Sequence, residues 1–60
     1  MNLYSRLIAL CAEHPELNRH RRRILGGCCQ RPNDQKMRLK IEIFLVSMPE
    51  FRPLLESLLE

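Results

Sequence analysis

The run Asn18-Arg19-His20-Arg21-Arg22-Arg23 holds the densest chemistry in the chain. Guanidinium forks grip phosphate oxygens and guanine edges through paired hydrogen bonds. On a helix, Arg19, Arg22 and Arg23 fall on one side, with His20 and Arg21 flanking them. Arg31, Arg38 and Lys40 are placed to extend that surface. Five of the ten Lys and Arg residues lie between Arg19 and Arg31, so the net charge of +3 is concentrated locally. Such clustering suits an anionic partner. We therefore expect a nucleic acid, DNA or RNA, at Arg19, His20, Arg21, Arg22, Arg23 and Arg31. The competing expectations are an acidic or larger protein partner, or a basic face that only keeps a small protein dissolved.

A second constellation, Cys11, His14, His20, Cys28 and Cys29, contains the residue types that ligate zinc. Cys11-x-x-His14 is usable on a helix. Adjacent Cys28 and Cys29, however, lack the gap of a zinc knuckle. Cys11 falls in an apolar stripe, where cysteine acts as a small hydrophobe. No metal site or cofactor is expected. Catalysis is not expected either. The chain has no Ser/His/Asp or Cys/His/Asn arrangement in context and no glycine-rich phosphate loop. Gly26-Gly27 reads as a helix stop, and Glu13, Glu16 and Glu50 as charges near helix ends. The Leu55-Glu56-Ser57-Leu58-Leu59 run fits the Leu-x-x-Leu-Leu pattern of groove-binding helices. Core or dimer packing explains it more simply.

These groups need a scaffold, and sixty residues allow one small domain, residues 1–60. A chain this short buries only about 60% of the surface it exposes when unfolded. A second copy is the cheapest additional source of burial. Three cysteines do not form a disulfide framework, which favours a reducing cytoplasm. No stretch approaches the ~18 apolar residues of a membrane span, and the N-terminus has no signal-peptide pattern.

Periodicity places the helices. Leu3, Leu7, Leu10, Cys11 and His14 line one face of a helix over 3–14 with Asn2 as its N-cap. Pro15 ends that segment and opens the next, 15–25. There Leu17, Ile24 and Leu25 oppose the arginines, so the second helix is a rod with a greasy back and a cationic front. Pro32-Asn33-Asp34 supplies turn and cap chemistry. Residues 36–43 alternate polar and apolar as a strand does, yet no second strand exists to pair with it. A helix over 34–47 is therefore favoured, with Met37, Ile41, Phe44, Leu45 and Met48 on one buried face. Leu39, Ile43 and Val46 make a second buried face, and Arg38 and Glu42 an i, i+4 ion pair. The alternative is an α+β chain whose strand at 36–46 pairs across a dimer.

Ser47-x-x-Glu50 has capping-box spacing, and Pro49 opens a final helix over 50–59. Phe51, Leu54, Leu55, Leu58 and Leu59 form its apolar stripe and are the expected dimer or partner interface. Residues 7–25 and 41–59 also echo one another, with His14-Pro15-Glu16-Leu17 matching Met48-Pro49-Glu50-Phe51. The expected fold is thus all-α: three to four short helices in helix–Pro–helix pairs, forming a homodimer. The expected role is regulatory.

Overall fold

The first helix, α1 (Leu3–Glu13), starts where two side chains meet its free N–H groups. Asn2 Oδ1 accepts from the Ser5 N–H at 2.8 Å, and Asp34 Oδ1, far along the chain, accepts from the Leu3 N–H at 2.9 Å. These contacts come from a computed structural model that describes residues 2–26 and 32–60. Gly27, Cys28, Cys29 and Arg31, which figure in the expectations above, lie outside the described residues.

His14 ends α1 in an extended conformation (φ −127°, ψ 92°), as a residue before proline tends to do. Its N–H still donates to Leu10 and Cys11, while its carbonyl accepts from Leu17 and Asn18. One residue thus terminates α1 and starts α2 (Pro15–Asn18). Met48 repeats this geometry (φ −132°, ψ 72°) between α4 (Asp34–Ser47) and a 3₁₀ turn, Pro49–Phe51, that leads into α5 (Arg52–Leu59).

Between Asn18 and α3 (Arg21–Leu25) the expected single rod is interrupted. Arg19 keeps helical dihedrals, but His20 has φ −101° and ψ 3°, and its N–H donates to Leu17 three residues back. The tighter turn rotates the His20 ring toward α4 and the 3₁₀ turn, where it packs against two aromatic rings described below. Gly26 closes α3 at φ +69°, a left-handed conformation suited to glycine, with its N–H on the Arg22 carbonyl at 2.8 Å.

The 36–46 segment is helical, so the strand alternative does not hold. Asn33 caps α4 through the Lys36 N–H at 2.8 Å, and every regular element among the described residues is a helix. Two other local expectations fail. Ser47 is the last residue of α4, and no side chain caps the 3₁₀ turn, so the capping box does not form. Arg38 does not pair with Glu42. Its guanidinium instead donates to the Leu59 carbonyl at 2.6 Å, while Arg6 donates to the Ser57 carbonyl at 3.2 Å. α5 has no basic residue in its own last turn, so cations from α4 and α1 serve its open carbonyls.

One core joins these parts. Leu3, Leu7 and Cys11 of α1 meet Leu17 and Ile24, the inner face of α4 (Met37, Ile41, Phe44, Leu45), Phe51, and Leu55 and Leu58 of α5. Leu7, Leu17, Met37, Ile41 and Leu55 are fully inaccessible. Each such burial contributes about 1.5–3 kcal/mol before the cost of ordering the chain.

Two assignments of apolar residues change accordingly. Phe51, Leu55 and Leu58, expected at an interface, are buried within the chain, and Leu54 and Leu59 are half-buried against the same core. The second face of α4, expected to be buried, is open: Leu39 is 57%, Ile43 61% and Val46 83% exposed. The other described helices pack on one side of α4, and none of them covers the other. No described helix is long and apolar enough to cross a membrane.

Candidate nucleic-acid interface

The arginine segment is held from behind by two anchors, Leu17 on α2 and Ile24 on α3, both buried. Half-buried Leu25 supports them. With the apolar side fixed inward, Arg19, Arg21, Arg22 and Arg23 are all exposed. Because the segment is two short helices and a turn, these groups fan out instead of lining one straight rod. Arg21 lies on the α1 side, where its charge reaches the Cys11 thiol. Arg23 leans the other way, its Nη1 placed 3.8 Å from the Met48 sulfur at the end of α4. Arg19 follows the last residue of α2, and Arg22 is in the last turn of α3.

Among the described residues, no carboxylate neutralises any of these guanidinium groups. The one ion pair there joins His14 Nδ1 and Glu16 at 3.5 Å, which would carry charge only with the imidazole protonated. The positive charge of the segment is therefore directed to solvent.

His20 does not belong to this exposed group. Its ring is half-buried, with its centroid 5.2 Å from that of Phe51, edge to face, and 5.8 Å from that of Phe44. Phe44 and Phe51 are themselves 5.7 Å apart, which closes a three-ring cluster. Aromatic contacts at such spacing add about 0.5–1.5 kcal/mol beyond area burial. The imidazole thus fastens the arginine segment to α4 and the 3₁₀ turn.

Of the residues expected to extend the surface, Lys40 lies on the opposite side of a cleft. A cleft of about 480 Å³ runs between α3 and α4, lined by Arg23, Ile24, Gly26, Lys40, Ile43, Phe44 and Ser47. Two of those residues are cationic and none is acidic. Lys40 Nζ would lie 3.4 Å from a methyl group placed on Gly26, so its ammonium sits at the carbonyl end of α3. Lys40 therefore continues the basic surface from Arg23 across the cleft. Arg38 does not, because its guanidinium is engaged at the end of α5.

The zinc-type residues are dispersed. Cys11 is buried in the core, His14 faces Glu16, and His20 is in the ring cluster. Among the described residues no three His, Cys, Asp or Glu side chains come together as a metal would need. One feature escapes a sequence reading, the His20 ring cluster, because it depends on contacts between residues far apart along the chain. No protein family, curated protein or solved structure matches this chain.

Proposed function

We propose that this chain is a small regulatory protein that binds a nucleic-acid backbone through Arg19, Arg21, Arg22 and Arg23, with Lys40 continuing the contact. The observation that carries the reading is four adjacent, exposed guanidinium groups with no carboxylate partner among the described residues. Guanidinium groups that fan out suit phosphates better than bases read in register, because backbone contact needs positive charge but no fixed helical display. Acting as a pair, two copies would offer two such surfaces, and linkage would raise the combined affinity.

Gel-shift titration at two salt concentrations tests this, using duplex and single-stranded probes. Binding by the parent chain should fall steeply with salt, and removing each phosphate-binding arginine should flatten the log–log slope by about 0.7–0.9. Replacing Arg19, Arg22 and Arg23 with Ala should leave the helical circular dichroism unchanged and abolish most of the shift. His20→Leu should bind as the parent does, since the ring contributes packing. A parent chain that shifts no probe at low salt would overturn the proposal.

A protein partner is the second reading, and one observation favours it: the uncovered Leu39, Ile43 and Val46 face of α4.

A further inference from the structure

The cleft between α3 and α4 carries a cation at each end. Arg23 of α3 reaches the end of α4, its Nη1 3.8 Å from the Met48 sulfur. Lys40 of α4 reaches the other way, to the end of α3 at Gly26. Along α4, the backbone positions of Lys40 and Met48 are separated by about 12 Å of helical rise. Between these ends the lining is Ile24 and Phe44, both buried, together with exposed Ile43 and Ser47. No carboxylate lines the cleft, and its volume of about 480 Å³ is in the usual range of small-molecule sites. Its order is positive, apolar, positive.

That order restricts the occupant. A wholly apolar ligand would gain nothing from the two cations. A duplex keeps its bases paired and stacked, so it has nothing to offer the apolar lining. A single strand alternates phosphates with bases whose flat faces are free to pack on a protein. Resting on the nucleic-acid reading of the arginine segment, we propose that the cleft receives one unstacked base of a single strand, with neighbouring phosphates on Arg23 and Lys40. Ile24, Ile43 and Phe44 pack against the base, and Ser47 supplies a hydroxyl for its edge. Arg23 belongs to both sites and joins the cleft to the arginine surface. A single hydroxyl distinguishes bases poorly, so the cleft selects single strands and not a sequence.

Three probes of equal length test this: an oligothymidylate, the same strand paired with its complement, and an abasic strand that keeps the phosphates and lacks the bases. By fluorescence anisotropy the oligothymidylate should bind roughly ten-fold tighter than the abasic strand. Ile43→Gln should remove most of that difference and leave duplex affinity unchanged, because the side chain is exposed and carries no charge. Should that variant lose helicity, Ser47→Leu, which narrows the cleft, is to be read in its place with the same outcome expected. In NMR spectra the Ile24 and Ile43 methyl signals should shift with the oligothymidylate and not with the abasic strand. Equal affinity for those two strands overturns the cleft proposal and leaves the arginine reading standing. So does a preference for the oligothymidylate that the variant preserves. A parent chain that binds none of the three probes at low salt overturns both readings.

Discussion

Cys11 shows how much one side chain's surroundings govern its chemistry. The thiol is buried under α1, and burial pushes its pKa up, with the Arg21 charge partly offsetting that rise. A raised thiol pKa means that the folded chain holds the proton more tightly than the unfolded chain. The resulting stability is complete while the pH lies below the unfolded thiol's ordinary value. It is lost as the pH climbs through the raised folded value. Parent and Cys11→Ala should therefore differ less in stability at alkaline than at neutral pH, as followed by urea titration at each pH. Iodoacetamide should modify Cys11 slowly at neutral pH in the folded chain and readily in urea, as mapped by mass spectrometry. The hydrophobic role of Cys11 is legible in the sequence, because its neighbours Leu7 and Leu10 share its face. The role of His20 is not. Beside four arginines it reads as one more basic group, and its two ring partners lie beyond residue 40.

At the scale of the elements, legibility follows the reach of the hydrogen bonds. Asn2 and Asn33 cap donors three residues ahead, so both caps can be read from spacing alone. Asp34 caps a helix that begins thirty-one residues earlier, and Arg38 serves a carbonyl twenty-one residues later. Spacing within one helix instead points to Glu42 for Arg38. An open carbonyl end with no cation of its own is the stronger claim on that guanidinium. Asp34→Ala should cost about 1 kcal/mol, the usual worth of such a cap. In a domain this small that lowers Tm by about 4–8 °C. The loss should appear in thermal denaturation while nucleic-acid binding is unchanged. The break at His20 shows the same limit: helical periodicity continues through residues 15–25, and only packing against Phe44 and Phe51 tightens the turn there.

For the whole molecule, the margin is small and every helix depends on the same core. A chain of this length has about 3–9 kcal/mol of total stability. Truncating the fully buried Ile41 to Ala should cost about 2–5 kcal/mol. That is enough to move the urea midpoint close to zero, as read from the helical signal. The all-helical class and the inner face of α4 are legible from periodicity. Which of the two apolar faces of α4 would be covered is not, because periodicity counts faces and not the chain available to cover them.

The long-range caps have one more consequence. The start of α1 is latched to the start of α4 through Asp34, and the end of α5 is latched to α1 and α4 through Arg6 and Arg38. Helix ends ordinarily fray one at a time, exchanging their amide protons with solvent long before the interior opens. Here two ends share one hydrogen bond and the third is held by side chains of the same two helices. With their end groups held in this way, these helices should fray less, and the slowest-exchanging amides should extend closer to the helix termini than the helix lengths alone imply.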